Sequence, residues 1–283
     1  MRASAPAKIN LFLHILGRRP NDYHEMQSLV VFTAFGDEIA VEPANDLLLA
    51  VTGSRAAAIA DVASDDNLVI RAAKLLRERA GDSSLGARIS VRKEIPSGAG
   101  LGGGSSDAAA TLKLLNGLWK LNLPLGELET IGLSLGADVP VCLRGASTLV
   151  GGIGEVLEPA NVPPLWLVLA FTGREMPTAP VFKELRREEW SAHAANLPFT
   201  NADALAHALR AARNDLEAPA NRLQSAIGAL IAEIKHQPGA MLARMSGSGS
   251  ACFGIFASEI EAFAAMDNLT RRKGYWAVAT RSV

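Results

Sequence analysis

The chain has 283 residues, which is enough for two domains. Its composition is 49% hydrophobic and 20% charged, as is usual for a globular protein with a large core. Lys and Arg number 28 against 29 Asp and Glu, so the net charge of −1 argues against a broad basic face for nucleic acid or anionic lipid. We therefore expect a protein that binds neither nucleic acid nor a membrane.

The cysteines and the apolar runs point to the cytoplasm. The two cysteines form no CxxC pair, which argues against a disulfide scaffold or a zinc cluster. The longest apolar candidate, PPLWLVLAF at 163–171, is far shorter than the roughly 18 residues that span a bilayer. Polar residues interrupt the apolar part of the N-terminus, unlike in a signal peptide. We expect reduced thiols and a cytoplasmic protein.

Strands and helices alternate in the first half of the chain. Ala7–Ile15 has the period of a half-buried strand, and the polar segment 17–25 after it is predicted to be a loop. An N-cap at Asp65 or Asp66 is predicted for the first helix. Further strands are predicted at 29–35, 37–43, 87–91 and 147–150, and helices at 67–80, through 108–119 and at 125–135.

A loop-like stretch at 155–165 marks the predicted domain boundary, which gives domains 1–157 and 158–283. In the second half, strands are predicted at 165–171, 251–256 and 275–281, and helices at 178–187, 201–212, about 219–235 and 258–272. Strands interleaved with helices in both halves indicate an α+β or α/β fold.

A glycine-rich segment, PSGAGLGGGSS at 96–106, precedes a helix. Five of the seven residues from Gly98 to Gly104 are glycine, so the backbone can turn tightly and approach a ligand closely. The helix N-terminus that follows suits phosphate. We predict a phosphate-holding loop, rather than a flexible surface loop. Its residues are Pro96, Ser97, Gly98, Ala99, Gly100, Leu101, Gly102, Gly103, Gly104, Ser105 and Ser106.

Two other phosphate motifs fit this segment less well. No lysine stands where GxxxxGK[ST] requires it, so the segment is not a P-loop. GAGLGG at 98–103 matches GxGxxG and leaves an NAD-dependent oxidoreductase as an alternative. However, Lys93, Glu94 and Pro96 interrupt the strand before it, and no ribose-binding acid follows in a parallel-sheet pattern.

The segment PSGAGLGGGSSDAA resembles the ATP loop of the GHMP kinases, a family of ATP-dependent small-molecule kinases. Three further segments are PAKINLFLHILGRRPNDYHE (6–25), LGADVPVCLRG (135–145) and RMSGSGSACFGIF (244–256). Together they resemble the family members whose acceptor is a cytidine diphosphate sugar alcohol. Those members phosphorylate its 2-hydroxyl in the non-mevalonate route of isoprenoid biosynthesis. The resemblance follows chain order and is weakest at 185–235.

The resemblance implies a two-domain α+β fold with the active site in the cleft between the domains. The N-terminal ATP-binding domain would be like ribosomal protein S5 and the C-terminal one ferredoxin-like. ATP would be the phosphoryl donor, with Mg²⁺ held by Ser105 or Ser106, or mainly by phosphates and water. The protein would be a monomer or a weak homodimer.

Lys8 and Asp138 are the predicted catalytic pair. Asp138 follows a helix end among apolar neighbours, where a partly desolvated carboxylate suits a base, although a turn or capping aspartate is the alternative. Lys8 lies inside an apolar strand, where a lysine needs a partner unless it reaches solvent from an edge. The resemblance implies that Asp138 takes the proton of the acceptor hydroxyl and that Lys8 lies beside both.

The resemblance also implies an acceptor pocket. Tyr23 would stack on the cytosine, His24 would read the base edge, and Phe182 would close the base from the other domain. Thr178 and Asn10 would face the sugar alcohol and its phosphates. By themselves these are ordinary loop and strand residues, and Phe182 has the pattern of a core residue, since Val181 and Leu185 share its helix.

Two assignments remain around the ATP loop. Asn67 matches a family position near the adenine or ribose, with an ordinary helix N-terminal asparagine as the alternative. The segment SGSGS at 246–250 is expected to pack against the phosphate loop. No role is predicted for 187–200.

Two alternative functions remain: another GHMP kinase with a different alcohol, or a non-catalytic GHMP-type sensor. The presence of Lys8 and Asp138 argues against the sensor.

Overall fold

A computed structural model describes residues 1–57, 66–192 and 201–283 of the chain. They fall into two compact units. The first unit comprises Met1–Lys8, Phe35–Ser97 and Gly102–Gly145, and the second Ile9–Ala34, Gly98–Leu101 and Ala146–Val283. Each unit is thus made of separate stretches of chain, and the single boundary after residue 157 stays a prediction.

The strands are β1 Arg2–Arg18, β2 His24–Ala44, β3 Leu47–Thr52, β4 Gly86–Arg92, β5 Thr148–Gly152, β6 Val156–Pro159, β7 Trp166–Phe171, β8 Ala240–Met245, β9 Cys252–Phe256 and β10 Trp276–Arg281. The helices are α1 Leu68–Ala80, α2 Gly103–Leu118, α3 Leu125–Leu135, α4 Val139–Arg144, α5 Thr178–Glu184, α6 Ala202–Leu209, α7 Glu217–Leu223, α8 Ala226–Lys235 and α9 Glu259–Lys273. In the described ranges no helix is both long and apolar enough to cross a bilayer.

The first strand, β1, is longer than predicted and buried on both faces. Ile9 and Leu11 are fully buried on one face, as the alternation predicts. On the other face Lys8 and Asn10 are also buried, each with 3% of its surface exposed. Lys8 and Asn10 have hydrogen-bond partners inside the protein. The alternation of apolar and polar residues therefore does not mark a solvent-facing side of β1.

β2 is a single strand where two were predicted. Residues 38–44 pair antiparallel with β4, and residues 26–30 pair antiparallel with β5. Both ends therefore have hydrogen-bonded neighbours, and the backbone stays extended between them. β3, which was not predicted, runs parallel to β4.

In the described part of the first unit, four helices, α1 to α4, pack on one another. The predicted helices over 67–80 and 125–135 are confirmed. The N-cap of α1 is Asn67, whose side chain accepts a hydrogen bond from the Val69 amide at 2.9 Å; Asp66 does not cap it, and Asp65 lies outside the described residues. The short helix α4 begins directly after Asp138 and was not predicted.

An antiparallel sheet in the order β10-β7-β9-β8 forms the base of the second unit, and α8 and α9 pack against it. Three predictions were wrong here. Val156–Pro159 is a strand paired with β5, where a loop was predicted. β8 was missed. The single helix expected at about 219–235 is two helices, because the chain leaves the helical conformation at Gln224.

A buried ionic cluster joins β2, the residue after β4, and α2 in the first unit. The Lys93 ammonium lies 2.5 Å from an Asp37 carboxylate oxygen and 2.6 Å from one of Asp107, and all three residues are buried. The other Asp37 oxygen accepts hydrogen bonds from the amides of Glu94 and Ile95. The cluster therefore fixes the segment that leads into the glycine loop.

Replacing Lys93 by Met should lower the free energy of unfolding by about 3–5 kcal/mol, because two buried carboxylates lose their cation. Urea unfolding measures this change. Lys235→Met, which removes an exposed lysine from α8, is the control and should change stability by less than about 0.5 kcal/mol. Equal effects of the two substitutions would contradict the role given to the cluster.

The same cluster should make stability depend on pH. Burial raises the pKa of Asp107 to about 7, against the opposing charge of Lys93. The folded protein then keeps a proton that the unfolded chain releases above its ordinary pKa of 3.8, so this group's contribution to stability falls as the pH rises from about 4 to 7. Relative to Asp107→Asn, the wild type should lose up to about 1.4 kcal/mol per pH unit over this window. Parallel stability–pH curves for the two proteins would refute the assignment.

Candidate functional site

The first part of the glycine loop lies against the Gly/Ser segment 246–250 in the second unit, as predicted. The hydroxyl of Ser246 donates to the Gly100 carbonyl at 3.3 Å, and the Ala251 amide donates to the Ala99 carbonyl at 2.8 Å. A Cβ at Gly100, whose φ is +77°, would come within 2.6 Å of a Gly249 carbonyl oxygen. Only glycine allows this approach.

The end of the loop starts α2 in the first unit. Gly102 is the N-cap, with φ of +67°, and no side chain caps the helix. The first amides of α2 are therefore left without a side-chain partner, which is the arrangement that binds phosphate. A Cβ on Gly102 would lie 3.0 Å from the Cβ of Lys8, so the loop passes directly over that lysine.

The serines of the loop differ in their surroundings. The Ser106 hydroxyl is buried and donates to the Pro6 carbonyl at 2.8 Å, which ties α2 to β1. The Ser97 hydroxyl is buried beside Pro96 and has no hydrogen-bond partner among the described residues. Ser105, at the start of α2 next to Gly104, is half-buried. Of the two serines suggested as magnesium ligands, Ser105 is thus the one not engaged by the protein backbone.

Lys8 and Asp138 form an ion pair in the first unit. The Lys8 ammonium lies 2.9 Å from a carboxylate oxygen of Asp138. The lysine side chain is 4% exposed, whereas the aspartate side chain is 47% exposed. Lys8 is therefore the buried member of the pair, and the carboxylate of Asp138 remains accessible to a ligand. Asp138 is thus the partner that a lysine inside an apolar strand was expected to need.

Asn67 lies where the starts of α1 and α2 meet. Its side-chain oxygen caps α1, and the next residue, Leu68, would lie 3.3 Å from a Cβ on Gly104. The structure thus gives Asn67 the ordinary capping role, at a place next to the helix that follows the glycine loop.

Asn10 and Thr178 both contact serines in the second unit. The Asn10 amide side chain donates to the Ser28 hydroxyl at 2.7 Å, and its backbone amide donates to the hydroxyl of Ser246 at 3.2 Å. The Thr178 hydroxyl lies 2.9 Å from that of Ser248 and is exposed. Both predicted residues therefore lie against the Gly/Ser segment.

One further residue that holds this segment has no signature in the sequence. Asn214 is buried, and its side-chain amide donates to the carbonyls of Met245 and Gly247, at 3.0 and 2.8 Å. Asn214 follows α6 in a stretch where the sequence pattern shows only helix and turn, and no spacing points to it.

His24 and Phe182 come together in the second unit, with ring centroids 5.1 Å apart. A second ring, that of Trp190, contacts His24 edge-on at 5.9 Å, and no role was predicted for this residue. Tyr23 is 61% exposed. Burial, and then the charge of Arg18, lower the pKa of His24, which favours a neutral imidazole.

A cavity of about 820 Å³ opens beside these rings. Its lining combines the aromatic rings with cationic side chains: His24, Phe182, Trp190, Arg18, Lys183 and Arg187. Tyr23 does not line it. Aromatic faces next to cations suit a nucleotide, whose base stacks while its polar edge or phosphates accept hydrogen bonds.

Two family models match the chain. Residues 67–146 match the GHMP kinases N terminal domain, and residues 192–275 match the GHMP kinases C terminal domain. The first match contains the glycine loop and Asp138.

Relatives resemble the chain over almost its whole length. A Cereibacter sphaeroides protein named 4-diphosphocytidyl-2-C-methyl-D-erythritol kinase is 49% identical over 97% of this chain and 96% of its own. A Rhodospirillum rubrum protein of the same name is 45% identical over 99% of this chain and 92% of its own.

Solved structures show the same fold. A crystal structure of 4-(cytidine 5'-diphospho)-2C-methyl-D-erythritol kinase superimposes with a TM-score of 0.82 at 35% identity, over 100% of this chain and 99% of that one. The crystal structure of L. major mevalonate kinase shares the fold at 17% identity, with a TM-score of 0.75 over 100% of this chain and 95% of that one. The chain belongs to the GHMP kinase family and has the two-domain α+β fold of that family, among the relatives named 4-diphosphocytidyl-2-C-methyl-D-erythritol kinase.

Proposed function

We propose that this chain transfers the γ-phosphoryl group of ATP to the 2-hydroxyl of 4-diphosphocytidyl-2-C-methyl-D-erythritol. The products are ADP and the 2-phosphate of the acceptor, an intermediate of the non-mevalonate route of isoprenoid biosynthesis. Relatives of that name at 45–49% identity support this substrate. The NAD-dependent alternative has no support from the family of the chain.

The Lys8–Asp138 pair beneath Gly102 carries the proposal. Asp138 accepts the proton of the acceptor hydroxyl while the hydroxyl oxygen bonds to the γ-phosphorus and the bond to the β,γ-bridging oxygen breaks. The ammonium of Lys8 orients the hydroxyl and stabilises negative charge that develops on its oxygen. The exposed carboxylate and the buried ammonium fit these two roles. A non-catalytic sensor would not need this pair.

The glycine loop is proposed to hold the ATP phosphates. The uncapped start of α2 offers backbone amides and a partial positive charge, and Gly100 and Gly102 keep side chains out of the way. The loop residues 96–105 would contact the nucleotide through the backbone. Asn67 would lie near the adenine or ribose while it caps α1.

Magnesium is proposed to enter with ATP. No group of three or more His, Cys, Asp or Glu side chains in the described part of the chain is placed to hold a metal ion. Mg²⁺ characteristically keeps several waters and binds through substrate phosphates, so it fits a loop with a single hydroxyl ligand, Ser105. When bound, it would neutralise charge on the phosphates.

The protein is proposed to act in the cytoplasm as a monomer or a weak homodimer.

The acceptor is proposed to bind in the second unit. His24 would read the cytosine edge and Phe182 would stack on the base, with exposed Tyr23 covering its open face. Asn10 and Thr178 would face the sugar alcohol and its phosphates, since both lie against the Gly/Ser segment that touches the glycine loop.

An ADP-release assay across several alcohols tests the function. Turnover is expected with 4-diphosphocytidyl-2-C-methyl-D-erythritol and not with mevalonate or homoserine. Turnover of either of the other alcohols, with none of the cytidine substrate, would instead indicate a GHMP kinase with another acceptor.

Lys8→Met and Asp138→Asn should each lower kcat by about 100- to 10,000-fold, since each removes a group that acts on the acceptor hydroxyl. Steady-state ADP release measures the change, and circular dichroism checks the fold. Asp203→Asn removes an exposed carboxylate from α6 and should leave kcat unchanged. Near-normal turnover in either catalytic variant would refute its assignment.

Phe182→Leu should raise KM for the acceptor by about tenfold and leave KM for ATP unchanged, because a stacked ring is lost. The control is Phe263→Leu, which alters an exposed phenylalanine of α9. If Phe182 were only a core residue, the variant would lose stability without this selective effect on the acceptor.

A further inference from the structure

The cavity of the second unit contains more cationic groups than a stacking site alone would need. Arg18, Lys183 and Arg187 line it, and none of the described residues that line it is acidic. Arg18 has a carboxylate partner, Asp22, at 3.1 Å. Lys183 and Arg187 make no ion pair with the described residues. An unpaired cation in a cavity wall is available to a ligand.

Arg187 is distinguished from Lys183 by what it rests on. Its guanidinium lies over the ring of Trp190, 5.9 Å from the ring centroid. A guanidinium on an aromatic face is favourable and keeps its planar set of donors free at the edges. Lys183 and Arg187 are both exposed, but the lysine ammonium is a point charge without this planar set of donors. Arg187 therefore brings a paired set of donors to the wall of the cavity.

The turn that carries Arg187 is firmly held. Arg222 bonds to the carboxylates of both Glu184 and Glu189, at 2.8 and 2.6 Å. The buried carboxylate of Asp215 accepts a hydrogen bond from the Ser191 amide at 2.9 Å, directly after Trp190. These contacts fix Trp190, and hence the platform under Arg187, without involving the cavity itself.

Arg187 lies in the same cavity wall as Phe182, the residue of α5 that is proposed to stack on the base. Thr178 contacts the Gly/Ser segment at Ser248. Phe182 lies one turn further along the same helical face, which is the order of sugar alcohol and then base. Arg187 and Trp190 come after Phe182 in the wall of the same cavity. They therefore line the same cavity as the ring that is proposed to stack on the base.

We propose that Arg187, supported by Trp190, reads the edge of the acceptor's pyrimidine and makes the site selective for cytosine. This rests on the proposed function. N3 and O2 of cytosine are adjacent acceptors that match the paired donors of a guanidinium, whereas N3 of uracil carries a hydrogen and repels one of them. His24 lies next to Trp190 in the same wall and can meet the remaining part of the edge.

Calorimetric titration with CDP and UDP tests this assignment in the whole protein. The wild type should bind CDP more tightly than UDP. Arg187→Met should weaken CDP binding by about tenfold and bring the ratio of the two dissociation constants close to one. Arg187→Lys keeps the charge but not the paired donors, so it should lose most of the ratio as well. Arg210→Met, which removes an exposed arginine outside the cavity, should leave the ratio unchanged.

Other results would overturn the inference. If Arg187→Met weakened CDP and UDP equally and Arg187→Lys restored both, Arg187 would act only through its charge on the diphosphate. An unchanged ratio in both variants, or no preference in the wild type, would also contradict base recognition. Turnover of the cytidine substrate by the wild type is assayed separately. Its loss would refute the proposed function, whereas normal turnover with an unchanged ratio would refute only the role of Arg187.

Discussion

The ammonium group of Lys8 is buried in a strand of apolar residues, and the carboxylate of Asp138 lies 2.9 Å from it. A buried cation without such a partner would strongly destabilise the fold, so the strand β1 and the start of α4 constrain each other. The glycine loop passes over the same lysine at Gly102, where a side chain would crowd it. One ion pair thus connects the first strand, the phosphate loop and the residue proposed as base.

The buried Lys93 cluster fixes the two segments that flank the glycine loop. It holds the Glu94 and Ile95 amides and the first turns of α2 through Asp37 and Asp107. In the second unit the Gly/Ser segment is fixed in a comparable way by Asn214 and Ser246. The backbone groups that would hold phosphate are therefore positioned by buried polar contacts, and the ligand need not order them.

Sequence patterns predicted most of the long elements and the chemistry, for identifiable reasons. The glycine loop and the Lys8 strand carry strong local signals, since glycine runs and a lysine among apolar residues are both unusual. β6 and α4 were missed because they are short, and their turns depend on pairing with β5 or on packing against α2. β1 was predicted to be half-buried because alternation cannot show that Lys8 and Asn10 find partners inside. Trp190 lies in a polar stretch with no periodicity, so only the fold brings it to His24.

The proposed reaction transfers the γ-phosphoryl group of ATP to one hydroxyl of one acceptor. Phosphorus-31 NMR of the protein with ATP, Mg²⁺ and 4-diphosphocytidyl-2-C-methyl-D-erythritol tests it directly. We expect one new phosphomonoester resonance, which shows phosphorus–carbon coupling to C2 of the acceptor and forms in equal amount with ADP. ADP formed together with inorganic phosphate, or a monoester at another hydroxyl, would contradict this reaction.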